Sequence, residues 1–212
     1  MNQFENLSPI VKKEILQTAA CIVKSSVLYK RKPWLQNGIV ICDEEHFVGF
    51  RASPLLMENK AGAYVWIFKT ESSGEKTLRG KMGFLSPSTD SITSEILKAA
   101  YSAAHQDMNF NEVQPEELDS LSYAVDLFFE KEKTLSRGEF IDLLNGVDKN
   151  EQDDFLEKHA LLVSKNYRQC MITANPLEKE STGQRIKKAL LQADISVEEE
   201  PCVYQIKYLR II

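Results

Sequence analysis

The first strong pattern along the chain is helical. Apolar residues recur every three or four positions, which is the period of an amphipathic helix, and they form one stripe: Ile15, Ala19, Ile22 and Val23. Ser8 is a suitable N-cap, and Pro9 fits the first turn because its missing N–H has no partner there. The pattern predicts a helix over 8–28, and the basic run 30–33 ends it.

Most of the remaining pattern is typical of strands. Runs rich in β-branched and aromatic residues, or with alternating apolar and polar positions, predict strands at 38–42, 47–51, 61–69, 77–85, 121–129, 160–164, 169–173 and 202–212. Helical patterns with capping residues predict helices at 91–105 and 182–193, and a short helical turn at 138–145. Because strands outnumber helices and do not alternate regularly with them, we predict an α+β fold with mostly antiparallel or mixed sheets and flanking helices.

The clearest alternation lies in the segment 121–129. One face carries the apolar residues Leu121, Tyr123, Val125, Leu127 and Phe129. Ser122 and Asp126 fall on the opposite face, because successive side chains of a strand point to opposite sides of the sheet. We therefore expect Leu127 to be buried, and we expect a substitution of Ser122 to cost far less stability than one of Leu127.

The acidic stretch 148–157 is predicted to be a solvated loop or helix.

Composition and charge narrow the class of partner. The chain has 212 residues, 43% of them hydrophobic and 27% charged, as in an ordinary globular protein. Its net charge of -5 argues against nucleic acid or an anionic membrane as partner, since both select basic surfaces. No apolar run is long enough to cross a bilayer, and the first residues do not form a secretory signal. These features predict a cytoplasmic protein.

Metal and cofactor motifs are missing from the sequence. The cysteines are widely spaced and include no Cys-x-x-Cys pair, so we expect reduced and mostly buried thiols at Cys21, Cys42, Cys170 and Cys202. The histidines lack the paired spacing of zinc ligands, and they are His46, His105 and His159. Neither a dinucleotide-binding glycine fingerprint, a P-loop nor a Gly-x-Ser-x-Gly elbow occurs. No metal and no cofactor are predicted.

One strand carries an unusual group of residues. Arg79 and Lys81 flank Gly80 within an otherwise apolar segment. Glycine weakens a strand unless it forms a bulge or lets another group approach the backbone. In such a gap Arg79 could present its planar fork to a carboxylate or phosphate ligand. Alternatively, Arg79 is paired within the protein to Asp107 or Glu117, and the sequence leaves both readings open.

Two further titratable groups have a simple structural explanation. His105 ends a predicted helix, where a histidine complements the helix dipole. Glu116 and Glu117 follow Pro115 in a first helical turn, where acidic residues are favoured for the same reason. Acid/base chemistry at these positions is the less favoured alternative.

Several motifs in a fixed order point to a known family. They are Gly-Ala-Tyr-Val at 62–65, Leu-Arg-Gly-Lys-Met-Gly at 78–83, an alanine-rich helix ending in Asp-Met-Asn-Phe at 107–110, Pro-Glu-Glu-Leu at 115–118 and Tyr-Ala-Val-Asp at 123–126. From about Gly62 to the C-terminus the chain resembles the AMMECR domain family, named after the AMME chromosomal region. The resemblance implies an α+β fold of two interlocked lobes in one domain, with a cleft near the Arg-Gly turn. It also divides the chain into two parts. Residues 1–60 would form an opening helix and a hairpin that is specific to this chain, both packed on the main domain. Residues 61–212 would form the AMMECR-like domain.

The chain departs from the family pattern at the turn itself. Lys81 stands where the family has a cysteine, and Asn109 stands where it has an arginine. A lysine can replace that cysteine as an anion contact but not as a thiolate nucleophile. The resemblance also implies partners, because family members look like partners of Memo-type and radical-SAM proteins in some bacteria and like adaptors in animals.

The leading functional hypothesis is a non-catalytic binding or adaptor module. Its polar, anion-binding cleft near Arg79 would hold a small anionic ligand or a protein tail, with the candidate site residues Arg79, Gly80, Lys81, His105, Asp107 and Glu117. The alternative is an enzyme or enzyme subunit that modifies a substrate together with Memo-type or radical-SAM partners. In that case Glu117, His105 or Lys81 would perform acid/base work. A third class is an interaction protein whose sheet edge recruits a partner.

Overall fold

The computed structural model describes residues 7–43, 45, 48–146, 155–177 and 180–212. Helices and mainly antiparallel strands make it an α+β protein, as the pattern predicts. The chain forms two compact units, of which the first comprises Met1–Phe128 with Leu209–Ile212 and the second Phe129–Tyr208. The division of the chain into 1–60 and 61–212, made from the sequence, stays a prediction.

The first unit contains most of the helices and strands of the N-terminal half. In chain order these are α1 (Pro9–Tyr29), β1 (Trp34–Gln36), β2 (Ile39–Asp43), β3 (Val48–Arg51), α2 (Pro54–Met57), β4 (Gly62–Thr70), β5 (Lys76–Phe84), α3 (Ile92–His105), a 3-10 helix (Pro115–Ser120) and the start of β6 (Leu121–Leu135). Ser8 caps α1 as expected, since its side chain accepts a hydrogen bond from the Val11 N–H. The helix ends at Lys30, which adopts a left-handed conformation.

Two antiparallel sheets organise this unit. Strands β1, β2 and β3 form a small sheet in that order, and β1 is a strand that the sequence pattern did not predict. Residues 44 and 46 of the predicted connection 43–46, and residue 47 of the predicted strand 47–51, lie outside the described residues. In the main sheet β4 pairs with β5 on one side and with β6 on the other. The end of β9 (Cys202–Ile211) joins this sheet beside β6.

Helix α3 packs on strands β4 and β5 of the main sheet, and α1 packs on α3. Its predicted core residues are all buried, namely Ile92, Ile96, Ala99, Ala100 and Ala103. They meet the side chains of alternate strand residues, of which Val65, Ile67, Val125 and Leu127 have no exposed surface. Small alanine side chains let the helix backbone approach the sheet closely, as the sequence predicts.

The opposite face of β6 differs from the prediction. Leu127 is fully buried as expected, but Asp126 on the other face is also fully buried. The Ser122 hydroxyl is buried too, and among the described residues it has no hydrogen-bond partner. The alternation of apolar and polar residues therefore marks two covered faces rather than a covered and a solvated one. Asp126 can be buried on this polar face because Arg210, a partner distant in sequence, pairs with it. That Ser122 tolerates substitution stays a prediction.

The second unit has its own core. Its elements are the second half of β6, α4 (Arg137–Asn145), α5 (Phe155–Lys158), β7 (His159–Lys165), β8 (Arg168–Ile172), α6 (Thr182–Gln192), a 3-10 helix (Val197–Glu199) and most of β9. Within it β9 pairs with β7, and β7 with β8, all antiparallel. Leu161, Ile186 and Val203 lie at the centre of the core. Of the acidic stretch 148–157, residues 148–154 lie outside the described residues.

In the described parts of the chain, every helix is either too short or too polar to span a lipid bilayer.

Candidate functional site

Arg79 lies at an irregularity of strand β5. Ile67 pairs with Gly80 and Phe68 with Leu78, so Arg79 is the extra residue of a β-bulge. A bulge changes the direction of the side chain, and the guanidinium turns to the carboxylate of Glu117. Arg79 Nε and Nη2 donate to the two Glu117 oxygens at 2.8 Å each. This is the bidentate geometry in which arginine binds a carboxylate most strongly.

The remaining donors of Arg79 are directed at the chain that precedes the 3-10 helix. Nη1 donates to the Asn111 carbonyl at 2.8 Å, and Nη2 donates to the Glu112 carbonyl at 3.0 Å. The Arg79 side chain is only 14% exposed. Arg79 therefore ties β5 to the segment that leads into the 3-10 helix, and the internal pairing left open by the sequence is the one observed.

Glu117 has further partners besides Arg79. It accepts a hydrogen bond from the Gln114 N–H at 2.9 Å in a capping box at the start of the 3-10 helix. The Lys69 ammonium lies 3.6 Å from it. The Arg79 hydrogen bonds, followed by that of Gln114 and the charges of Arg79 and Lys69, lower the pKa of Glu117 to about 2. Glu117 is thus a stable anion rather than an acid/base group near neutral pH.

Gly80 is required by the close approach of helix α3. A Cβ atom at this position would lie 2.4 Å from the Ala103 carbonyl oxygen, which is closer than real Cβ contacts. The helix can therefore pack here only against a residue without a side chain.

Asp107 follows the C-terminal end of α3 and forms a hydrogen bond with the backbone of strand β5. It is buried, and its Oδ2 accepts a hydrogen bond from the Lys81 backbone N–H at 2.8 Å. Its Oδ1 accepts from the Asn109 N–H at 2.9 Å and from the Asn109 side-chain amide at 3.1 Å. The carboxylate thus satisfies an edge N–H and shapes the turn after α3.

His105 belongs to a different environment. Its Nε2 lies 2.9 Å from the Ser26 hydroxyl of α1, and its Nδ1 lies 3.6 Å from a Glu112 carboxylate oxygen. The imidazole packs on Tyr101 at a ring separation of 4.8 Å, and its side chain is only 9% exposed. His105 therefore links α3 to α1. The predicted residues form an Arg79–Glu117 pair and an Asp107–Lys81 contact, with His105 apart from both.

The structure adds a group of residues that the sequence interpretation missed. On the face of the main sheet away from α3, two cations lie over the Trp66 indole. The Lys81 Nζ is 5.1 Å from the ring centroid and the Arg210 Cζ is 5.3 Å from it. Tyr64 packs on the same indole at a ring separation of 6.0 Å. We call Tyr64, Trp66, Lys81, Asp126 and Arg210 the cation–aromatic cluster.

Asp126 is the buried acid of this cluster. Arg210 Nε and Nη2 donate to its two oxygens at 2.7 and 2.6 Å, and the Trp66 Nε1–H donates to it at 2.8 Å. Burial raises the pKa of Asp126, and the Arg210 and Trp66 hydrogen bonds oppose that rise. Burial, and then the charges of Asp107 and Asp126, raise the pKa of Tyr64. Tyr64 thus stays a neutral hydrogen-bonding phenol at neutral pH.

The chemistry available in the cluster is that of recognition. A lysine ammonium and a phenol O–H can bind an anion, and an aromatic face gives a ligand an apolar surface to pack on. Among the residues that the structure describes, no three His, Cys, Asp or Glu side chains converge as metal ligands would.

A comparison with known families decides what this chain is related to. The sequence profile of the AMMECR1 family matches residues 32–199. The chain belongs to the AMMECR1 family. The AMMECR1 match includes the three-stranded sheet β1–β3, whereas the resemblance based on the sequence motifs begins at Gly62.

The chain is also similar to a curated protein and to a solved structure. A curated Thermotoga maritima protein, named only "Protein", is 29% identical over 140 residues, which are 66% of this chain and 70% of that one. The crystal structure of the uncharacterized protein PH0010 from Pyrococcus horikoshii matches with a TM-score of 0.69 at 16% identity. The match covers 96% of this chain and 92% of that one, and at this identity it shows a shared fold.

Proposed function

We propose that this AMMECR1-family chain is a non-catalytic binding or adaptor module. Its ligand is a small anion, or the anionic tail of a protein, that contacts the Lys81 ammonium beside Trp66. The observation that carries the proposal is the position of the Lys81 ammonium over the Trp66 ring, 5.1 Å from its centroid. Arg210, the other cation on this ring, is paired with Asp126, so Lys81 supplies the charge for the anion. Next to the buried indole, the attraction of that ammonium for an anion is stronger than in bulk water.

The roles of the other residues support binding over catalysis. A general acid or base needs a pKa near the working pH, but Glu117 is held far below it. Asp107 already accepts three hydrogen bonds from the chain. His105 lies against Ser26. Lys81 stands at the family's cysteine position, where it supplies positive charge in place of a thiolate.

The proposal is tested by removing one charge. In Lys81→Met the stem of the side chain is kept and the ammonium is lost. Inorganic phosphate and citrate are titrated into the ¹⁵N-labelled protein, and the indole N–H resonance of Trp66 is followed. We expect saturable shifts in the wild type that disappear in Lys81→Met.

Lys98 offers a matched control. Its ammonium lies over the ring of Phe84 at 3.9 Å, so Lys98→Met removes the same kind of contact elsewhere in the first unit. This variant should bind the anions as the wild type does. Equal binding by Lys81→Met and the wild type would contradict the proposal, and so would equal losses in the two variants.

Partners and location belong to the same proposal. The net charge of -5 supports a partner other than nucleic acid and is compatible with the cytoplasm. Memo-type and radical-SAM proteins are the partner classes that the family resemblance implies. Substrate turnover that appears only when such a protein is added would favour the enzyme-subunit alternative over a binding module.

A further inference from the structure

Two cysteines that are distant in sequence lie side by side in the first unit. The Sγ atoms of Cys21 and Cys42 are 3.5 Å apart. Cys21, on α1, is partly exposed, whereas Cys42, on β2, is buried. Since a disulfide bond is about 2.05 Å long, the two sulfurs need to approach by only about 1.5 Å to bond. Both are free thiols in the structure.

Cys42 occupies a special position in its strand. Ile41 pairs with Gly49 and Asp43 with Val48, so Cys42 is the extra residue of a β-bulge. Bulges are over-represented where a strand has to direct one side chain, and the small shifts that bonding requires are easier outside a regular ladder. The bulge and the short sulfur–sulfur distance are independent observations on the same residue.

The chemistry of the pair favours reaction. Hydrogen bonds from Cys21, and also from Ser25, lower the pKa of Cys42 to about 7, although burial opposes this. The contact with Cys42, together with burial, raises the pKa of Cys21. The pair thus holds one thiolate beside one thiol near neutral pH, and the thiolate is the form that attacks oxidants and disulfides.

We propose that Cys21 and Cys42 are a reversible redox pair that closes to an intramolecular disulfide when the protein meets a hydroperoxide. One thiolate attacks the peroxide oxygen, the O–O bond breaks, and the leaving alkoxide or hydroxide takes up a proton to give an alcohol or water. The second sulfur then attacks the sulfenic acid, the S–S bond forms, and the released hydroxide leaves as water with the second thiol's proton. Two thiols are oxidised by two electrons and one peroxide is reduced. The new bond ties α1 to β2.

The test uses the full chain with the other cysteines removed. In the Cys170→Ser/Cys202→Ser background only Cys21 and Cys42 remain. After treatment with hydrogen peroxide, thiol counting should fall from two to zero, and peptide mapping should find Cys21 linked to Cys42. Dithiothreitol should restore both thiols. The oxidised form should melt several degrees higher, because the bond closes a loop of about twenty residues.

A third substitution separates a pair from two independent thiols. In the same background, Cys21→Ser keeps a hydroxyl beside Cys42 and should leave Cys42 as a sulfenic acid that dimedone traps, with no rise in melting temperature. Persistent dimedone adducts in the protein that has both cysteines would overturn the proposal. So would two unreacted thiols at a peroxide concentration that oxidises the exposed Cys202 of the wild type. If Cys21→Ser does not fold, peptide mapping of the two-cysteine protein still decides the outcome.

Discussion

Replacing Arg79 by alanine separates a structural role of the arginine from a ligand-binding one. The substitution removes both hydrogen bonds to Glu117 and those to the Asn111 and Glu112 carbonyls. Glu117, whose side chain is 16% exposed in the wild type, keeps Lys69 at 3.6 Å and the Gln114 N–H as partners.

The expected cost follows from these contacts. Stranding one member of a fully buried ion pair costs about 3–5 kcal/mol of unfolding free energy. Because Glu117 keeps two partners and some contact with water, we expect a smaller loss of about 2–3 kcal/mol. For a chain of this size that corresponds to a drop in melting temperature of about 4–12 °C.

The assay is thermal and urea unfolding of Arg79→Ala beside a matched surface variant. Lys60 pairs with Asp90 at 3.0 Å, but the side chains of both are well exposed, at 57% and 101%. Lys60→Ala should therefore change stability by less than about 1 kcal/mol. If Arg79→Ala melts within about 2 °C of the wild type yet loses phosphate binding, the arginine binds a ligand, and our assignment of a stabilising role to Arg79 is wrong.

Three further predictions address the strand core and the ion pair. Gly80→Ala should cost about 1–3 kcal/mol or more by pushing α3 away, whereas Gly138→Ala, where a Cβ meets open space, should be neutral or stabilising; similar melting curves would contradict this. Leu127→Ala should lose about 2–5 kcal/mol in urea unfolding, and Ser122→Ala should lose far less, since the hydroxyl has no hydrogen-bond partner among the described residues. Because the folded pKa of Glu117 is about 2, its contribution should be complete above about pH 5 and vanish towards pH 2; a constant stability difference between wild type and Glu117→Gln across that range would refute it.

Local patterns predicted the elements well because the relevant interactions are short-range. The helix predicted over 8–28 is α1 at Pro9–Tyr29, and the helix predicted over 91–105 is α3 at Ile92–His105. Both have a serine N-cap immediately before a periodic apolar stripe. Strand β1 escaped detection because three residues are too few to show alternation.

The site was harder to predict because its contacts join distant residues. The side chains of Asp126 and Arg210 meet across a sequence separation of 84 residues. An aspartate inside the apolar run 124–128 was the available signal, since a buried carboxylate needs a partner. Nothing local to Asp126 indicated that the partner would be Arg210 or that Trp66 would lie beside both.

The structural roles of Arg79, Gly80 and Asp107 explain how the bulged segment of β5 can form with different side chains at position 81. Gly80 leaves room for the backbone of α3 to approach the strand. Arg79 binds Glu117 of the 3-10 helix, and Asp107 accepts a hydrogen bond from the Lys81 backbone N–H. None of these contacts involves the side chain at position 81, because Asp107 holds that residue through its backbone. This segment of β5 can therefore adopt the same backbone with a cysteine or a lysine at position 81. Only the chemical group that the side chain presents to a ligand changes. For this reason Lys81→Cys should preserve the melting temperature while weakening phosphate binding, and a large loss of stability would show that the ammonium is part of the fold.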